Sequence, residues 1–314
     1  MGRGGGRGWQ AGAMEVLTPR DVPLGGLRAM TVRRTLPQRQ RSLIGAWCFV
    51  DHYGPDAVDD SGGMVVPPHP HTGLQTVSWL FTGEIEHRDS AGHHATVRPG
   101  EVNLMTAGRG ISHSEYSTPG TTTLHGAQLW LALPDGRRET DPAFEHHAPE
   151  PVAGDGWEAR VFLGSLLGST SPVRTHTPLL GAELLLDAGA SLEIAVDPAH
   201  ELGLLVDTGA VRVDGEPLAK DELAYVAPGS ATLALATDEP TRLLLLGGEP
   251  FGEKIVMWWN FIGRDHDEVV AHRDAWEARL EVGDTSRFEL PADDPMEPLH
   301  APPLPGVRLR TRGP

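Results

Sequence analysis

An all-β fold of two tandem barrels with one C-terminal helix is the expectation for this 314-residue chain. Three observations carry it. Gly and Pro are frequent and evenly scattered, cutting the chain into short apolar runs. Each half has strand-like runs ending in a Pro-Gly turn. One late segment lacks both residues over a length suited to a helix.

The apolar runs fall at residues 76–81, 101–106, 123–131, 182–186, 202–206 and 241–246. Short runs bounded by turn formers are strand signals, and many at short spacing indicate a barrel or sandwich. Arg98-Pro99-Gly100 and Ala227-Pro228-Gly229 give the halves a shared rhythm with little identity. Between them, residues 148–156 (APEPVAGDG) have no periodicity and read as a linker. The organisation expected is a disordered tail at 1–18 and an N-terminal barrel at 19–148. A C-terminal barrel with a helix follows at 157–282, and an extension at 283–314. The helix is expected over 265–281, where Val269, Val270, Ala271, Ala275, Trp276 and Leu280 keep to helical spacing and Asp265 suits an N-cap. It is expected to pack on the first barrel, with Trp258, Trp259 and Trp276 supplying buried area.

Composition narrows the function. With 43 acidic and 26 basic side chains the net charge is −17, a field that repels nucleic acid and anionic membranes. No stretch approaches the roughly 20 apolar residues of a membrane span. The basic, Gly-rich start has no apolar core of a secretory signal, and Cys48 has no internal disulfide partner, so a cytoplasmic monomer is expected. The Gly run at 2–8 precedes no phosphate-loop motif. Hydrolase-elbow, zincin and thioredoxin motifs are missing from the sequence.

Histidine carries the chemical signal. Eight of 15 lie between His52 and His125. In His69-Pro70-His71, residues i and i+2 of a strand face the same way, so both rings can reach one ion. His113-Ser114-Glu115 repeats the arrangement behind the turn Ala107-Gly108-Arg109-Gly110. If the two strands are neighbours, three imidazoles and a carboxylate converge. That set suits Fe(II), Mn(II), Ni(II), Cu(II) or Zn(II), and in octahedral coordination leaves two positions open. The adjacent pairs His93-His94 and His146-His147 point to opposite sides and read as solvated. Residues 86–89 (EHRD) read as a solvent-facing strand end. In the second half, residues 191–205 contain only His200 and no H-x-H, so that barrel is expected to be metal-free and structural.

The stretches HPHTGLQTVSWLFTGEIEHRDSAGHH and RPGEVNLMTAGRGISHSE resemble the pirin family of the cupin superfamily. So do the flanking IGAWCFVDHYGP and LHGAQLWLALP and, more loosely, KIVMWWNFIGRDHDEVVAHRDAWE; the similarity spans 19–277. The resemblance implies two cupin (jelly-roll-like) barrels with one metal, usually iron, in the first. Its ligands map onto His69, His71, His113 and Glu115. Tyr53, His52 and Gln128 become candidates for groups around the ligands, and 86–89 for a contribution behind them. Three positions depart from the pattern: Gln75, where the family commonly has Glu, is expected to leave the ligands intact but alter the groups around them, and Trp47 and Cys48 are expected to alter the cavity wall. The implied activity is that of a quercetinase-type dioxygenase acting on a small aromatic enediol, with Glu115 as the catalytic base. The alternative is a regulator that binds a protein partner according to the oxidation state of its iron.

Overall fold

A computed structural model describes residues 14–23 and 30–313. The chain folds into two antiparallel β-barrels, each built from a seven-stranded and a four-stranded sheet. In the first barrel the large sheet runs Ala143–His147, Val102–Thr106, Leu74–Thr82, Thr123–Ala132, Trp47–Ala57, Thr31–Leu36, Arg20–Pro23. The small sheet runs Val65–His71, Ile111–Ser117, Ile85–Asp89, His94–Val97. The second barrel repeats the plan, with a large sheet around Thr241–Gly248 and a small one around Thr232–Ala236.

The two large sheets pack against each other. Strand alternation explains how. Leu243 and Leu245 point into the second barrel with Ala182, Leu184, Leu204 and Val206. Leu244 and Leu246 point outward and meet Trp47, Val77, Trp79 and Leu129 of the first barrel. A strand buried on both faces must be apolar at every position, hence the unbroken leucines at 243–246. Trp79 stacks on Phe162 with ring centroids 4.5 Å apart, and Trp47 Nε1 donates to the Gly247 carbonyl at 3.1 Å.

Two expectations are corrected. The tail expected at 1–18 lies outside the described residues up to position 13, but Glu15–Leu17 is an edge strand of the second barrel's large sheet. Its alternation decides this: Leu17, fully buried, enters the core between the barrels. The linker reading of 148–156 likewise fails for Val152–Gly154, which pairs with Trp157–Leu163 at the opposite edge. An edge strand needs neither periodicity nor freedom from Pro.

The helix forms at His266–Val282, with the Asp265 side chain accepting from Glu268 N and Gly283 at φ 74° ending it. It packs on the hairpin Val256–Trp258/Phe261–Gly263, and Trp276 Nε1 donates to the Leu299 carbonyl at 2.9 Å. Beyond the helix the chain runs along the first barrel's small sheet. Ser112 Oγ donates to the Glu289 carbonyl at 2.5 Å, Tyr116 Oη to Asp294 at 2.7 Å, and Leu299 N to the Pro68 carbonyl at 2.8 Å. Among the described residues, no helix is long and apolar enough to cross a membrane.

Candidate metal centre

Val65–His71 and Ile111–Ser117 are direct antiparallel neighbours, with Ile111 opposite His71 and His113 opposite His69. Two i, i+2 pairs on adjacent strands therefore face one barrel interior. The outward residues Ser112, Ser114 and Tyr116 are held by the C-terminal segment, which fixes the strand carrying His113 and Glu115 from behind. Candidate ligand atoms of His69, His71 and His113 lie within 4.8 Å of one another, and His71 Nε2 is 3.1 Å from His113 Nε2. Glu115 joins a second such cluster with His113 and His87. The register slips between His113 and Glu115, so Glu115 opposes Val66.

The donor set fits a metal ion. His69 Nδ1 donates to the Pro67 carbonyl at 2.9 Å, which leaves Nε2 with its lone pair. Burial lowers the His69 imidazolium to a pKa of about 4 and takes His71 and His113 well below the ordinary value. The like charge of the neighbouring histidines adds to the effect at His71 and His113. Three buried neutral imidazoles crowd together there, as a cation requires of its ligands. Burial also raises the Glu115 carboxyl, against the opposing pull of His87 and Ser78.

Behind these residues runs a chain of groups from 86–89, a run that its charge alone read as solvent-facing and that the family resemblance offered as a contribution behind the candidate ligands. His87 Nδ1 is 3.4 Å from His113 Nδ1, and His87 Nε2 is 3.2 Å from Asp89 Oδ2. One tautomer set satisfies both contacts: His113 Nδ1–H donates to His87, and His87 Nε2–H donates to Asp89. His113 Nε2 is then free to ligate. Asp89 is pinned by the N–H groups of Ala91 and His93, at 2.9 and 3.0 Å. Burial pushes the Asp89 carboxyl upward, but the His87 and His93 hydrogen bonds outweigh it and hold the carboxyl below its usual range. The signal was present in the sequence: along Ile85–Asp89, His87 and Asp89 share the face of the buried Ile85.

His69, His71, His113 and Glu115 line a cavity of about 380 Å³. Phe49 and Trp130, stacked at 4.0 Å, form one wall; Met64, Val66 and Leu299 also line the space. Ser78 Oγ lies 3.4 Å from Glu115 Oε1 and 2.8 Å from Gln128 Oε1, so its one proton is shared between two acceptors, with Gln128 the nearer.

The other candidates lie elsewhere. Gln75 shares the outer face of Val77 and Trp79, bonds Thr106 Oγ1 at 2.9 Å and does not border the cavity. Trp47 faces the second barrel, and Cys48 Sγ meets the Trp130 carbonyl at 3.5 Å; neither forms the cavity wall. Tyr53 is the exception: it is buried with Val32, Met64 and Leu80, Met64 borders the cavity, and burial and then the nearby Glu115 carboxylate raise its phenol well above the ordinary value. His52 leaves the site altogether and bonds Asp207 of the second barrel at 2.7 Å. His93 bonds Asp89, His94 bonds Glu86 and His146 bonds Glu101, all outside the cavity lining.

Comparison with known proteins places this geometry. Residues 29–131 match the pirin family, and residues 181–280 match the pirin C-terminal cupin domain. A Pseudomonas aeruginosa protein provisionally named a quercetin 2,3-dioxygenase is 45% identical over 293 residues, covering 93% of this chain and 91% of that protein. A pirin-like protein of Caulobacter vibrioides is 36% identical over 269 residues, covering 82% and 92%. The crystal structure of a quercetin 2,3-dioxygenase from Acinetobacter baumannii superposes with a TM-score of 0.88 at 39% identity, covering 95% of this chain and 97% of that one.

Proposed function

The chain belongs to the pirin family, and on that premise we propose that it is a mononuclear metal dioxygenase of the quercetinase type, acting on flavonol-like enediols. One observation carries the reading: three neutral imidazoles and a carboxylate face an aromatic-walled cavity of a size suited to a small ligand. His69, His71, His113 and Glu115 would hold the ion, with iron(II) favoured.

When bound, the ion supplies Lewis acidity that lowers the pKa of the enediol hydroxyl and a site for chemistry with dioxygen. The protein's own groups do the rest. The Phe49–Trp130 wall offers a flat apolar face for an aromatic ring and sets its plane. Glu115, whose carboxyl is raised by burial, is suited to accept the hydroxyl proton, and Ser78 is the hydroxyl within reach of its carboxylate. The His113–His87–Asp89 chain fixes the His113 ring and raises its basicity as a ligand.

The test is anaerobic reconstitution with iron(II), elemental analysis, and then addition of quercetin and dioxygen. One metal per chain, dioxygen uptake and loss of the flavonol absorption band are expected, with His113→Ala losing metal and uptake together. Metal-loaded protein that neither takes up dioxygen nor changes the quercetin spectrum would refute the reading.

A further inference from the structure

The entrance to the cavity is basic in a protein that is otherwise strongly acidic. Arg20, Pro37, Met257 and Arg312 border both the 380 Å³ cavity and an adjoining groove of about 700 Å³, so the two are continuous. Arg20, Arg34, Arg39, Arg41, Arg310 and Arg312 line this combined space, and among the described residues Glu115 is the only side-chain carboxylate that does. The chain has 43 acidic and 26 basic side chains, so a lining with six arginines against one carboxylate departs sharply from the average surface.

Two of the six are neutralised. Arg34 grips Asp51 through two contacts of 2.6 Å, and Arg41 meets Glu15 at 2.8 Å. The other four have no carboxylate partner among the described residues. Arg20 Nη1 donates to the Pro37 carbonyl at 3.0 Å, which positions the guanidinium without balancing its charge. Arg312 is held by its backbone, paired in both directions with Ile255 at 2.7 and 2.8 Å, which leaves its side chain to line the entrance. The last residues of the chain thus bring a cation to the mouth of a site built from its first half. Burial first, then the like charge of Arg34 and more weakly that of Arg312, disfavour the charge on Arg20 and outweigh the favourable pull of Asp51, a strain that a bound anion would relieve.

We propose that the substrate carries an anionic group, a carboxylate or its equivalent, that Arg20 and Arg312 receive at the cavity mouth while its enediol reaches toward the histidines. This rests on the enediol reading above and narrows it: a neutral flavonol leaves the basic mouth unused. Guanidinium forks match a carboxylate in shape and charge. The net field of a −17 protein repels anions, so a local basic entrance is what admits one.

The test compares catechol with 3,4-dihydroxybenzoate on the zinc-loaded full chain, where the metal has no redox chemistry. Binding is read by fluorescence of the tryptophans, two of which, Trp130 and Trp259, line the cavity. Wild type is expected to bind the carboxylate about tenfold to a hundredfold more tightly at low salt, with the margin shrinking as salt rises. Arg20→Gln/Arg312→Gln should bring the two ligands close to parity while leaving catechol affinity unchanged. Arg308→Gln, which breaks a pair with Asp267 outside the groove, should behave as wild type. Equal affinities in wild type, or a preference that survives the double substitution, overturn the proposal. The two readings separate cleanly. Anion preference without dioxygen uptake retires the dioxygenase and leaves the basic mouth; uptake with quercetin and no anion preference does the reverse.

Discussion

Removing one carboxylate at the joint between the barrels should cost more than any surface ion pair. Asp207 Oδ1 accepts from His52 Nε2 at 2.7 Å and from His125 Nε2 at 2.5 Å, and Arg242 Nη1 reaches Oδ2 at 3.3 Å. Asp207, His52 and His125 are all buried. Asp207→Ala strands two imidazole N–H groups, each at about 1–3 kcal/mol for an unsatisfied buried donor. Arg242 is partly exposed and keeps Glu183 at 3.2 Å, so its loss adds little. The total is about 3–5 kcal/mol, the range seen when one partner of a buried pair is removed. Asp207→Asn keeps an acceptor oxygen and should cost only about 1–2 kcal/mol. Urea unfolding of the metal-free protein, followed by tryptophan fluorescence, would give the order alanine below asparagine below wild type. The sign of the pH dependence is fixed too. Burial pushes the Asp207 carboxyl up, but the bonds from His125 and His52 outweigh it and hold the carboxyl far below its ordinary value. A depressed folded pKa means that the carboxylate's contribution is complete above the unfolded value, roughly pH 4, and drains away as pH falls through the folded one. The gap between wild type and Asp207→Ala should therefore persist from neutral pH to about pH 5 and narrow only in stronger acid. An alanine variant within about 1 kcal/mol of wild type at neutral pH would show that the cluster does not join the barrels.

Two substitutions test the surroundings of the metal site. Asp89→Asn keeps the shape of the loop anchor but removes the charge behind His87, and should weaken metal binding about tenfold in competition with a chromophoric chelator; unchanged affinity would sever the proposed chain through His113. Gln75→Glu restores the carboxylate common in the family, but into a buried position against Thr106 on the face away from the cavity. It should lower stability by about 1–3 kcal/mol in urea titration and leave metal stoichiometry unchanged. A change in metal content would place residue 75 at the site after all.

The convergence of His69, His71 and His113 was legible because its rule is local: i and i+2 on a strand share a face whatever the rest of the fold does. The helix was legible for the same reason, since its Asp265 cap and Gly283 stop are written within one segment. Positions whose role depends on a distant strand were not. His52 looked like part of the site because it sits in a stretch that resembles the family, but strand alternation turns it outward to Asp207, 155 residues later. Trp47 and Gln75 were misplaced in the same way, because a barrel whose large sheet is buried on both sides shows no polar face to reveal which way a residue points. For His87 and Asp89 the charged run alone pointed to solvent, and only the family resemblance pointed behind the candidate ligands, although Ile85 set their face inward. The C-terminal extension was the least readable, having almost no regular structure. Its function comes from where it lies: Asp294 and Glu289 clasp the back of the strand bearing His113 and Glu115, and Arg312 borders the entrance in front. Holding the back of that strand from Glu289 and Asp294 makes the geometry of the candidate metal site depend on completed folding, because His113 and Glu115 come from one barrel and part of what holds their strand comes from the segment that follows the helix.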